Sequence, residues 1–232
     1  MFATNAKFVR ASVLCAAVSG ALLVAPTAQA EGTLSASAAV SNMYLWRGID
    51  LGDGSPAVSG DLKYSVGGAY AGIWVSSGDD TLGNEYDYFV GWGTELDDFI
   101  FDISLWNYNY SDNGIAGNGF NVSDDTTGEL SEIVTTVGWK TIKLSYYDNI
   151  AGATGYEYWT LSGGIGKFSA TLGMHDPEGS NDMTHLNLGY AFNDRISFTA
   201  SKVIDQDANK NAPGAIDEDL KFVLTYSLPI EI

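Results

Sequence analysis

Cysteine, histidine and basic charge are what this 232-residue chain lacks most. Its one cysteine, Cys15, lies in the first thirty residues, so the rest of the chain must be stable without disulfides and offers no thiolate ligand. Only two histidines, His175 and His185, are present. A zinc site is therefore not expected, and no cofactor is. Lys and Arg number 11 against 29 Asp and Glu. That balance argues against DNA or RNA as a partner, because phosphate recognition needs a basic footprint. Charged residues reach only 17%, below the ~25% usual in soluble domains. The shortage of charge does not signal disorder, since 45% of residues are hydrophobic and 12% aromatic, enough to build a packed structure. After the N-terminus no run of ~20 apolar residues occurs, which excludes a further transmembrane helix.

The N-terminus reads as an export signal. Lys7 and Arg10 form a short positive region, residues 12–25 are apolar and small, and Ala28-Gln29-Ala30 fits a small-x-small cleavage site. A signal peptide over 1–30 and a single β-domain over 31–232 are expected. Cleavage would leave 9 basic residues against 29 acids.

Period-two alternation dominates the remainder, with no convincing 3.6-residue stripe. At the C-terminus Leu220, Phe222, Leu224, Tyr226, Leu228, Ile230 and Ile232 share one face, and Asp219, Lys221, Thr225, Ser227 and Glu231 the other. Twelve such segments are expected, over 33–45, 57–66, 69–77, 85–96, 99–110, 129–139, 141–149, 155–165, 168–175, 183–192, 195–204 and 218–230. Most are near the ten residues that a tilted strand needs to cross a bilayer. Their connections alternate. Longer loops at 46–56, 78–84, 111–128, 150–154, 176–182 and 205–217 alternate with tight turns at Gly67-Gly68, Asp97-Asp98, Lys140, Gly166-Lys167 and Asn193-Asp194. Short periplasmic turns opposite long outer loops are a property of transmembrane barrels. The charges that share the apolar parity, Asp148, Glu157 and Lys202, fall near expected outer ends, where a charge facing lipid costs least. Aromatics at segment ends (Tyr44, Trp46, Tyr86, Tyr88, Phe99, Tyr108, Tyr110, Trp139, Phe168 and Phe192) are expected to form two interfacial girdles. The fold class predicted is all-β, an antiparallel transmembrane β-barrel of about twelve strands.

Residues 40–92 carry a family pattern. Ser41-Asn42, Tyr44-Leu45-Trp46-Arg47-Gly48-Ile49, Pro56 to Tyr64, Ala69 to Trp74, and Glu85-Tyr86-Asp87-Tyr88 with Gly91 resemble the TorF-like family of proteobacterial outer-membrane proteins described as porins. The chain departs from that pattern at Met43 and at Asp50-Leu51. The resemblance implies an outer-membrane barrel and a pore, with no established substrate and no catalytic residues.

No enzyme is expected. Neither histidine stands in a recognised spacing with a serine nucleophile. Asp205-x-Asp207-x-Asn209-x-Asn211 invites an EF-hand reading, but Lys210 and Ile216 occupy the positions where the calcium loop needs Gly and Glu. The Gly163-Gly164-Ile165-Gly166 run precedes no helix, so it is not a phosphate cradle. The polar faces are more informative. By parity Asp61, Glu85, Asp87, Asp102, Glu132 and Asp219 should point inward or to the mouth, as should Lys63, Lys143, His185 and Lys221, with Arg47 at the outer mouth. In a barrel such charges either set which ions pass or fill a closed lumen with salt bridges.

The reading is a monomeric barrel in the outer membrane of a Gram-negative bacterium, exported through the Sec pathway and inserted by the barrel-assembly machinery. Lipid and lipopolysaccharide would surround it. It would serve as a narrow, weakly cation-preferring diffusion channel for small solutes or cations. The alternatives are a non-conducting barrel with a structural or surface-binding role, and a soluble exported β-sandwich that binds a ligand.

Overall fold

The computed structural model describes residues 31–112, 114–115, 121–122, 130–152, 155–177, 182–207 and 216–232. The expected signal peptide lies outside the described residues, as do most of the 111–128 loop and Asn209 and Asn211 of the acidic motif. The strands are β1 Thr33–Ser41, β2 Leu45–Trp46, β3 Ile49–Asp50, β4 Ala57–Val66, β5 Ala69–Asp79, β6 Gly83–Leu96, β7 Phe99–Tyr108, β8 Gly114–Ile115, β9 Asn121–Val122, β10 Leu130–Trp139, β11 Ile142–Ala151, β12 Tyr156–Ile165, β13 Phe168–Pro177, β14 Met183–Ala191, β15 Ile196–Gln206 and β16 Lys221–Ile230. Twelve of them form one closed barrel, each paired with its chain neighbour in the barrel, and β16 returns to β1. All the ladders are antiparallel, and the closing one runs from Ala36↔Ile230 to Ser41↔Thr225. Closure leaves no free edge, so every strand satisfies its backbone polar groups laterally.

The period-two pattern becomes an inside and an outside. On β7, Phe99, Phe101, Ile103 and Leu105 are exposed while Ile100, Ser104 and Trp106 are buried. On β16, Phe222, Leu224, Tyr226 and Leu228 are exposed, and Lys221 and Val223 are buried. The whole outer wall is built this way, from Leu62 and Tyr64 through Val90, Trp92 and Trp139 to Phe198. A continuous apolar exterior, with the charged and polar groups turned inward, is the arrangement that lipid, not water, stabilises.

The tight turns stand where the sequence puts them. Gly67, Gly68, Asp97, Lys140 and Gly166 all have positive φ, as two-residue hairpins with right-twisted strands require. Two connections differ from expectation. The 78–84 loop shrinks to three residues, since β5 runs to Asp79 and β6 starts at Gly83. The first strand ends at Ser41, not at 45, and residues 42–56 turn into the barrel. There β2 and β3 pair through Leu45↔Asp50 and Trp46↔Ile49. Their two-residue turn is Arg47-Gly48, with φ of 45° and 86°. Tyr44, Leu45, Ile49 and Leu51 of this inward hairpin are buried.

The lumen therefore holds a core. One buried cluster contains Leu82, Phe89, Trp106, Leu130, Val134, Tyr147, Tyr156 and Tyr158, and the other contains Tyr44, Ile49, Leu51, Ala57, Met183 and Val203. Trp46 and Trp74 pack against both, so the hairpin joins the two. The expected girdles need correction here. Tyr86, Tyr88, Phe99, Trp139, Phe168 and Phe192 are exposed on the outside, but Tyr44, Trp46, Tyr108 and Tyr110 pack into the lumen clusters. Their neighbours offer carboxylate acceptors for the hydroxyls, which lipid tails cannot.

Candidate functional site: the barrel lumen

The inward faces collect most of the residues singled out in the sequence. Asp61 and Lys63 come from β4, Glu85 and Asp87 from β6, Asp102 from β7, Glu132 from β10, Lys143 from β11, His185 from β14 and Lys221 from β16. Asp219 precedes β16 and is exposed, at the loop end of the barrel. Arg47 is the displaced member. The expectation of an outer-mouth position fails because the Arg47-Gly48 turn carries it inside, where it is 6% exposed.

Toward the turn end the lumen is polar and half-buried. Ser37 Oγ donates to Asp61 Oδ1. Tyr70 OH lies 2.9 Å from both carboxylate oxygens of Asp102. Lys63 Nζ sits 5.6 Å from the Tyr70 ring centre, and Lys63 and Lys143 both act electrostatically on Asp102. Thr136 and Ser145 hydroxyls bond at 2.8 Å. Bases and acids are mixed here, and the groups remain within reach of water.

Toward the loop end the lumen is dense and organised around Arg47. Its Nη1 and Nη2 donate to Glu132 Oε1 and Oε2 at 3.0 and 2.5 Å, a bidentate fork matched to the carboxylate plane. Glu132 is 1% exposed and also accepts from Tyr108 OH at 2.7 Å. The guanidinium carbon lies 4.5–4.6 Å from the ring centres of Trp46, Tyr147 and Tyr158. Burial works against the charge, but Glu132 and the surrounding tyrosine hydroxyls outweigh it and hold Arg47 well above its ordinary range. The pair costs desolvation that only such full satisfaction offsets. It also secures a non-glycine residue at positive φ, a conformation that persists where contacts over-determine it.

Both histidines pack against the same hairpin, and His175 bonds to it. His175 Nε2 is 2.8 Å from the Arg47 carbonyl oxygen, so it carries the proton, and Nδ1 accepts from Tyr156 OH at 2.8 Å. His185 Nδ1 faces Asn187 Oδ1 at 3.1 Å and Nε2 accepts from Tyr158 OH at 2.7 Å. Each ring is thus fixed as one neutral tautomer by its partners. Gly48 makes room for the second: a Cβ there would stand 2.5 Å from His185 Cγ.

A second group of acids flanks the hairpin. Glu85 accepts from Tyr44 OH and, at 3.0 Å, from Tyr110 OH. Asp79 Oδ1 accepts from the Thr81 and Leu82 amides, but its Oδ2 has no hydrogen-bond partner. Asp87 accepts from the Asn109 amide, and its Oδ1 has no hydrogen-bond partner. The described buried charges are thus Asp79, Glu85, Asp87 and Glu132 against Arg47 and Lys221. Lys221 is engaged elsewhere, 3.2 Å from Asp217 Oδ2. By count, the buried acids of the loop-end lumen exceed its buried bases.

Sequence reasoning missed the lumen tyrosines and His175. Their signal was present, since Tyr147, Tyr156 and Tyr158 sit on the polar parity of β11 and β12. Among the described residues no three His, Cys, Asp or Glu side chains converge as a metal cage.

Residues 25–216 match a family described as "Bacterial protein of unknown function (Gcw_chp)". No curated protein matches the chain.

Proposed function

The chain belongs to the Gcw_chp family, whose description assigns no activity, and on that premise we propose that it is an outer-membrane barrel forming a narrow, weakly cation-preferring passage for small solutes, constricted by the hairpin of residues 42–56. The resemblance of residues 40–92 to the TorF-like porins supports the same reading. The observation that carries it is a closed twelve-strand barrel, apolar outside, whose buried acids exceed its buried bases. A passage of low dielectric focuses that excess and enriches cations. In this account the protein is a monomer, reached through Sec export and inserted by the barrel-assembly machinery, with lipid and lipopolysaccharide around it.

One observation favours a second reading. The Arg47–Glu132 fork and the two aromatic clusters fill the loop-end lumen, as they would in a non-conducting barrel. Planar-bilayer recordings separate the two. A channel gives small, cation-carried unit currents in the wild type and larger ones when the hairpin is loosened by Arg47→Met. Silence from both proteins, each inserted and folded, sinks the channel in favour of the second reading. Recovery without detergent as a soluble periplasmic protein removes both.

A further inference from the structure

The outer wall is notched near its turn end. On β12 Gly163 lies between Leu161 and Ile165, both exposed, so its place on the apolar parity carries no side chain. Its cross-strand neighbour on β13 is Ala170. Ile142 and Leu188 flank this shallow floor, and Ile165 and Phe168 bound it toward the turn, around a groove of about 470 Å³. The fold itself does not require the glycine. Its φ is not positive, and a Cβ there would meet no atom nearer than 3.6 Å. A strand glycine without such a reason marks a place where a ligand approaches closely. The rim beside the groove is basic. Lys167 sits in the turn between Ile165 and Phe168, and its Nζ donates to the Phe192 carbonyl at 2.7 Å, which leaves two of its three hydrogens for another acceptor. That bond brings it to the β14–β15 turn, where Arg195 is exposed. Asp194 on the same turn forms no ion pair with either base among the described residues. The acids on the exterior of these strands, Asp148, Glu157 and Asp176, are cross-strand neighbours at the opposite, loop end.

We propose that this groove holds an acyl chain of one anionic phospholipid from the leaflet on the turn side, with the lipid phosphate on Lys167 and Arg195. The floor and walls are hydrocarbon, so they take an acyl chain and offer nothing to a polar ligand. The two bases stand where the chain reaches the headgroup level, and basic residues there attract anionic headgroups. Phosphatidylethanolamine fills the groove equally well, but its own ammonium is repelled by the same two cations. At about fivefold for each basic residue, the preference for phosphatidylglycerol comes to about twenty-five-fold. The site rests on the barrel standing in lipid and not on its conducting.

The test uses the full protein folded in detergent micelles that contain phosphatidylglycerol and phosphatidylethanolamine in equal amounts, at low ionic strength. Native mass spectrometry then counts the lipids that stay bound. The wild type should retain one phosphatidylglycerol, at about the twenty-five-fold preference given above. Gly163→Leu fills the groove from a position with room for its Cβ, and should lose the adduct. Lys167→Gln with Arg195→Gln keeps the groove, so it should bind the two lipids alike. Lys202→Gln, on the exterior near the loop end, should behave as the wild type does. A wild type that retains no lipid, or retains both equally, overturns the site. So does Gly163→Leu with an undiminished adduct, and so does a protein dimer in place of the adduct, which would assign the groove to a second copy. If Gly163→Leu does not fold, Ala170→Leu blocks the same floor and is read in the same way. A barrel that needs detergent yet retains no phosphatidylglycerol loses this site and keeps the outer-membrane reading. Recovery as a soluble protein without detergent removes both.

Discussion

Arg47→Met is the substitution on which the lumen architecture bears most heavily. It removes a guanidinium that is forked onto Glu132 at 3.0 and 2.5 Å and lies 4.5–4.6 Å from the centres of three rings. Deleting one member of a buried ion pair costs about 3–5 kcal/mol, mostly because the remaining charge is stranded. The ring contacts add about 0.5–2 kcal/mol each in a desolvated setting, part of which the thioether recovers by packing on the same faces. The stranded Glu132 therefore dominates. The cost falls on the seating of residues 42–56, since the barrel ladders do not pass through Arg47. Native-state hydrogen exchange reads it locally. The Leu51 amide bonds to the Tyr44 carbonyl at 2.9 Å within the inward segment, and its protection should fall by about a hundredfold to a few thousandfold, at 1.4 kcal/mol per decade. The Gly93 amide, bonded to Gly68 at 3.0 Å in the wall, should keep its protection. Arg47→Met with Glu132→Gln should recover most of the loss, because a neutral pair strands no charge. Equal losses at Leu51 and Gly93, or an unchanged Leu51, would refute the assignment of Arg47 as the clasp of an independent hairpin.

Three further outcomes follow from the same geometry. Leu224→Arg puts a charge on the apolar exterior near mid-strand, at a cost of about 2–4 kcal/mol, whereas Thr225 points inward to Ser41 Oγ at 2.9 Å; folded yield by gel migration should drop far more for Leu224→Arg than for Thr225→Arg, and equal yields contradict the parity. Gly173→Ala would set a Cβ 2.2 Å from His185 Nε2 and 2.4 Å from Tyr158 OH, so it should expose the hairpin to limited proteolysis while the barrel band persists; a protease pattern like the wild type's counts against the packing. Single cysteines at Asp53, Asp80 or Asp207 should react with an impermeant thiol reagent on intact cells and those at Asp98 or Asp194 should not; the reverse pattern inverts the orientation.

The barrel was legible in the sequence because period two is a local signal. The β7 and β16 rows alternate without a break, and positive-φ turns such as Gly67-Gly68 mark their own places. The inward faces of Glu85, Asp87, Asp102 and Glu132 follow from the same parity. The hairpin was not legible, for a physical reason. Tyr44-Leu45-Trp46 continues an apolar segment, and apolar side chains satisfy either lipid or a filled lumen. What decides between them is the partner set, and Glu132, Tyr147, Tyr158 and His185 come from four strands distant in sequence. The same ambiguity put Tyr108 and Tyr110 in a girdle, though their hydroxyls find Glu132 and Glu85 inside. Arg47 was misplaced with the hairpin that carries it.

The charge inside the lumen is what the functional account depends on, and the reversal potential of the wild-type protein in a planar bilayer reads it directly. Across a KCl gradient at low salt, where the Debye length reaches about 10 Å at 0.1 M, the acids Glu85, Asp87 and Glu132 should drive the potential to the cation side. Raising salt toward 1 M, where screening acts within about 3 Å, should weaken that preference. An anion-side potential would mean that Arg47, Lys63 and Lys143 set the field, and no current at all from inserted protein would leave a barrel without a passage; either result contradicts the account.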